Sequence, residues 1–218
     1  MSAEAAAVNA ALGDAVFMDA TAFPASMLNS IIAPRPIGWI SSMSAAGQVN
    51  LAPFSYFNAI SSKPPMLMFT CNKALDRPVK DTLANVRQSG EFVYNFVSFE
   101  LREQMNRSSA PLPHGADEFE FASLSKAPSV MVRPPRVADA PVNLECKVVQ
   151  IVDLDPDCTG EISSSVIIGR VVGSHVRREF IDAQGRFDLA RAAPLTRLGG
   201  FAYSELGTLF DIPRPKFP

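Results

Sequence analysis

Read for the spacing of its apolar positions, the chain alternates short extended runs with brief amphipathic segments. Met27, Leu28, Ile31 and Ile32 recur at helical intervals behind Pro24, a residue suited to a helix start, and Pro34 and Pro36 end the pattern. Residues 37–42 and 49–56 are rich in strand formers and flank a polar linker containing Gly47, which predicts a β-hairpin. Residues 66–71 form a continuous apolar run entered through Pro64 and Pro65 and read as a buried third strand. Val79, Leu83 and Val86, closed by Ser89 and Gly90, predict a helix, after which residues 92–97 resume the sheet. Residues 99–105 read as another short helix, and the polar, proline-bearing stretch 106–118 as an exposed connection able to act as a lid. Two long β-branched runs, 143–153 and 163–176, are separated by Asp155, Pro156, Asp157 and Gly160 and predict a second hairpin that closes the barrel.

Strands with short helices between them, rather than strict β-α alternation, predict a mainly β fold, a Greek-key type barrel with peripheral helices. No repeat or low-complexity linker divides the chain, so the expectation is an N-terminal extension over 1–20 and one domain over 21–218. A hydrophobic share of 47% in 218 residues is ample for a continuous core.

Charge and cysteine usage narrow the function classes. A net charge of −2 offers no basic face to a polyanion, so neither nucleic acid nor an acidic membrane is an expected partner. Cys71, Cys146 and Cys158 are odd in number and form no CxxC pair, which argues against a disulfide framework. His114 and His175 are far apart and lack ligand-type spacing, so no metal site is expected. The alanine-rich start carries Glu4 and Asp14 and does not read as a signal peptide, and no stretch is apolar for long enough to span a bilayer. The cytoplasm is the expected compartment.

Three polar clusters fall at strand ends, where a barrel rim commonly holds ligands. Arg35 with Ser41 and Ser42 brackets the first strand. The second cluster, Asn50, Ala52, Pro53, Phe54 and Ser55, brings a proline into a strand. Proline lacks an N–H and belongs on an edge, where neighbouring backbone groups are free to bond a flat heteroaromatic ring. The third runs over 72–82, where a strand ends and a helix begins: Asn72, Lys73, Arg77, Lys80, Asp81 and Thr82 surround unpaired helix amides suited to a phosphate. The same residues also permit a plainer reading, in which Asp76 caps the helix and the basic side chains are merely solvated.

The motifs Pro34-Arg35-Pro36-Ile37-Gly38-Trp39-Ile40-Ser41-Ser42, Asn50-Leu51-Ala52-Pro53-Phe54-Ser55, Lys80-Asp81-Thr82 and Gly90-Glu91-Phe92-Val93-Tyr94-Asn95 follow in order, and Asn143-Leu144-Glu145-Cys146 and Arg197-Leu198-Gly199-Gly200 continue the series. Together they resemble the flavin reductase-like, FMN-binding split-barrel family, which includes flavoredoxins and the nitrilotriacetate monooxygenase component B type. The resemblance implies a homodimer with noncovalent FMN and NADH or NADPH as co-substrate. It also implies a reductase that feeds a partner monooxygenase, or an electron carrier that serves a redox protein partner. In that family pattern Ala52 and Pro53 meet the ring, Ser41, Ser42 and Ser55 bond ribityl or phosphate oxygens, and Lys80 and Thr82 hold phosphate. His175 matches a position where the family often has histidine, able to orient a nicotinamide or supply a proton; alternatively it is a strand-end histidine with a structural hydrogen bond. Trp39, Cys71 and Cys146 read as core. A non-catalytic barrel that binds no flavin is the third reading. GxSxG, HExxH, GxGxxG and P-loop patterns are missing from the sequence, which suits chemistry carried by a cofactor.

Overall fold

The structure is a computed structural model that describes residues 14–74 and 78–217. Its strands are β1 (Arg35–Pro36), β2 (Gly38–Met43), β3 (Val49–Phe54), β4 (Phe57–Ser62), β5 (Pro65–Asn72), β6 (Glu91–Asn95), β7 (Lys126–Ala127), β8 (Arg136–Val137), β9 (Val142–Leu154), β10 (Ser164–Val176), β11 (Thr196–Arg197) and β12 (Tyr203–Ser204). Seven of them build one sheet in the order β3-β2-β6-β9-β10-β5-β4, each neighbour pair antiparallel. The fold is therefore mainly β, as the residue pattern predicts. Both predicted hairpins form, and the second is long, with 13 residues in each of β9 and β10.

Strands β3 and β4 are consecutive in sequence yet stand at opposite edges of this sheet. The sheet curls so that its ends meet through side chains. The Phe57 ring on β4 stacks on Tyr94 of β6 at 4.8 Å, and a Cβ placed on Gly38 of β2 would lie 2.5 Å from that same ring. Glycine at 38 is what lets the edge strand lie so close. Inside the curl, Phe69 touches Phe54 and Phe92, and Ile40, Leu67, Cys71, Cys146 and Ile167 join the cluster. A second cluster, around Trp39, Leu51, Met105, Phe119 and Leu195, fills the space between the outer face of β2–β3 and the short helices.

Two elements differ from the sequence expectation. The third strand of the reading is the fifth of the structure, because β1 is only two residues long and β4 carries the polar Asn58, Ser61 and Ser62 and has no buried residue to betray it. The predicted N-terminal helix forms over Ala25–Ile31 but buries none of its residues, with Leu28, Ile31 and Ile32 exposed. The helix Asp81–Ser89 does pack, burying Thr82, Asn85 and Val86, and ends on Gly90 at φ 67°, the left-handed conformation that favours glycine. No helix among the described residues is long and apolar enough to cross a membrane.

Candidate functional site

Strand β3 is an edge strand, and its outward N–H groups need partners. Leu51 N donates to Glu118 Oε2 at 2.9 Å, and two residues on, where the next outward N–H would fall, stands Pro53, which has none. Glu118 opens the short helix Glu118–Phe121, which is capped by the Asp117 carboxylate through Phe119 N (2.9 Å) and Glu120 N (3.4 Å). The edge proline is therefore as expected, whereas one backbone donor that the sequence reading left for a ligand is taken by Glu118. That residue was missed because 106–118 reads as solvated loop; Asp117 followed by Glu118-Phe119 was the available signal of a capped helix.

Against this edge lies a cleft of about 470 Å³. Asn50, Ala52, Pro53 and Phe54 form one wall, Lys80, Asp81 and Thr82 one end, and residues 108–112 the facing wall. The helix Asp81–Ser89 starts at Lys80 with no side-chain cap. Its first amides lack intrahelical acceptors by construction and carry partial positive charge. Thr82 Oγ1 accepts from Asn50 Nδ2 at 2.8 Å, which leaves the Thr82 hydroxyl hydrogen to donate elsewhere. Lys80 has no ion pair among the described residues, whereas Lys73 pairs with Glu161 at 3.2 Å. Two acids share the lining. Asp81 is held by His114 Nδ1 at 2.5 Å, and burial pushes the Glu118 carboxyl above its ordinary 4.5, against the pull of the Leu51 N–H. A donor-lined end and a flat apolar wall fit a phosphate ester joined to a planar ring.

The structure thus brings Asn50, Ala52, Pro53, Phe54, Lys80, Asp81 and Thr82 together on one cleft. Arg35 and Ser55 line a neighbouring cleft that shares Pro53 and Ser109 with the first. Ser41 and Ser42 depart from the expectation. Both are fully buried, because β2 is covered on both faces: Ser41 Oγ donates to Pro135 O at 2.5 Å, and Ser42 Oγ accepts from Asn85 Nδ2 at 3.1 Å. They hold the scaffold and line none of these clefts. Asn72 is exposed at the end of β5 and lines neither cleft, while Asp76 and Arg77 lie outside the described residues.

His175 is likewise placed away from the cleft. Register links His175, Asn143, Asn95, Trp39 and Pro53 in one row across β10, β9, β6, β2 and β3, four strand spacings or ~19 Å along the sheet. Its Nε2 donates to Glu145 Oε1 at 2.5 Å, the structural hydrogen bond of the plainer reading. Trp39 is core, its Nε1 donating to Ser108 Oγ at 2.9 Å behind the cleft's facing wall. Burial pushes the Cys71 thiol up to about 12 and raises that of Cys146 as well, so both behave as apolar fillers.

Comparison with known proteins gives a consistent picture. The family model described as the flavin reductase like domain matches residues 30–190. Nitrilotriacetate monooxygenase component B from Bacillus cereus superposes with a TM-score of 0.85 at 28% identity, over 91% of this chain and 98% of that one. The 2-nitrobenzoate 2-nitroreductase NbaA of Pseudomonas fluorescens gives 0.80 at 26% identity, over 93% and 98%. A Shewanella frigidimarina structure described as having a split barrel domain gives 0.77 at 22%, over 88% and 91%, and identifies the curled, unclosed sheet as a split barrel.

Proposed function

Because this chain belongs to the flavin reductase-like family, we propose that it holds FMN noncovalently and passes hydride from NADH or NADPH to flavin. The observation that carries this reading is the larger cleft, with an uncapped helix start, Lys80 and Thr82 at one end and the flat Ala52-Pro53-Phe54 wall beside it. When bound, FMN supplies the electron-transfer chemistry itself. The chain binds and orients. Lys80, the helix amides and the Thr82 hydroxyl hold the phosphate, and the β3 wall backs the ring. Residues 108–112 exclude water from the other side, anchored from behind by the Ser108–Trp39 bond. Glu118 occupies an edge donor that would otherwise draw in solvent. A monooxygenase as recipient of the reduced flavin finds support in the likeness to a monooxygenase component B.

The visible spectrum of purified protein, followed by anaerobic mixing with NADH or NADPH, tests the proposal. Rapid bleaching of bound flavin is expected. Slow bleaching by both nucleotides with fast reduction by a redox protein would transfer the assignment to an electron carrier, and a colourless protein that takes up no added FMN would remove the flavin reading.

We also infer that two copies pair. The unburied stripe of Leu28, Ile31 and Ile32, together with exposed Val149 and Val176 on the long hairpin, supplies apolar surface that a second copy would cover. Sedimentation equilibrium at micromolar concentration should give twice the chain mass; a monomer mass would reject the pairing.

A further inference from the structure

Beside the larger cleft lies a second, of about 380 Å³, which meets it at Pro53 and Ser109. Its polar lining is one-sided. Arg35 and Arg197 contribute two guanidinium groups, Asn29, Asn106, Ser55 and Ser109 are uncharged, and no acidic side chain lines it. Glu103 and Glu205 border an adjoining hollow that shares Arg197 and Tyr203 with this cleft, but Glu103 pairs with Arg102 at 3.7 Å. Neither Arg35 nor Arg197 has an ion pair among the described residues.

The two arginines are set against each other by the fold. In the β1–β11 ladder, Arg35 is the direct cross-strand partner of Arg197. Like charges facing each other across a ladder are destabilising, and a buried cation without a counter-charge costs more. Arg35 is 7% exposed. Its two terminal nitrogens donate to backbone carbonyls of Asn29, Ile32 and Leu198, which anchor it firmly, while its Nε is buried with no hydrogen-bond partner among the described residues. Arg197 lies over the Tyr203 ring at 4.4 Å and donates to the Tyr203 hydroxyl and Gly200 O, so it too is fixed in place. A held pair of facing cations and a lining without acids together describe a site completed by an anion from outside the chain.

We propose that this cleft seats the carboxylate of a small planar organic substrate, whose body extends past Pro53 toward the flavin. The inference rests on the proposed flavin site and names the class of molecule that meets it. Carboxylate is favoured over a phosphate or pyrophosphate because no helix start lines this cleft; those donors belong to the larger one. Ile37, Met105, Phe201 and Tyr203 add apolar and aromatic surface suited to a ring.

Benzoate, titrated calorimetrically into FMN-loaded protein at low ionic strength, is the probe. It should bind, its uncharged isostere benzamide should not, and Arg197→Ala should weaken benzoate at least ~10-fold, the loss expected for one charge-assisted bond. Arg197→Lys should restore part of that affinity, and Tyr203→Phe, which removes the hydroxyl contact but no charge, should keep it. Arg35 is left intact because its carbonyl bonds join three segments. Equal binding of benzoate and benzamide, or unchanged benzoate affinity in Arg197→Ala, overturns the anion site. Binding of inorganic pyrophosphate but not benzoate overturns the carboxylate assignment. The same titration on FMN-free protein separates the two proposals: failure to take up added FMN rejects the proposed function, while benzoate binding reads this cleft alone.

Discussion

Replacing Glu145 by alanine should lower stability by about 3 kcal/mol, seen as a reduced denaturant midpoint at unchanged slope. Glu145 is completely buried, yet its carboxylate accepts from Val130 N (2.8 Å), Met131 N (2.5 Å), Val132 N (3.1 Å) and His175 Nε2 (2.5 Å). Removing it orphans three amides and an imidazole at once. The lower end of the usual range for breaking a buried pair applies, because Val130 and Met131 are exposed and water can reach their backbone after the change. Burial alone would raise this carboxyl, but the His175 bond and the Val130 and Met131 amides outweigh it and hold the group below its ordinary 4.5. The sign follows from linkage: a carboxyl lowered by folding contributes its full stabilisation above 4.5 and loses it as pH falls through the depressed folded value. Glu145→Gln should therefore show a shallower loss of stability on acidification than wild type. An unchanged midpoint in Glu145→Ala would reject the assignment.

Lys80→Ala should weaken FMN by roughly 10- to 100-fold, the equivalent of about 1.5–3 kcal/mol for a hydrogen bond to a charged group. Riboflavin, which lacks the phosphate, should bind wild type and variant alike. Lys73→Ala serves as the contrast. That side chain also borders the cleft, but it is exposed and already paired with Glu161, so its removal should change affinity less. Flavin fluorescence quenching measures each affinity, and equal losses for FMN and riboflavin would mean that Lys80 supports the cleft's shape rather than the phosphate.

How much of this was legible in the residues depends on the element. The long hairpin was readable because 26 or so positions of β-branched run and turn chemistry agree, an over-determined local signal. Strand β4 was not, since its pairing partner β5 and the ring contact of Phe57 with Tyr94 are tertiary facts that its own polar residues do not advertise. The Pro53 edge and the Lys80–Thr82 corner were recoverable from proline chemistry and helix-start chemistry, both local. Ser41 and Ser42 misled for a specific reason: consecutive serines suggest a ligand rim, whereas here each ties the strand to a neighbour, one to Pro135 O and the other to Asn85. The facing arginines of β1 and β11 lie 162 residues apart in sequence, and only the ladder register reveals that they are opposed.

Two buried clasps between the helix Asp81–Ser89 and the barrel, Asn50 to Thr82 and Asn85 to Ser42, are formed entirely from side chains of this chain. The first fixes one corner of the cleft and the second holds the helix behind it as the polypeptide folds, before any guest arrives. An incoming molecule then finds donors already aimed and surrenders little further chain freedom on docking, so residence time, rather than reshaping of the protein, governs how tightly it is kept.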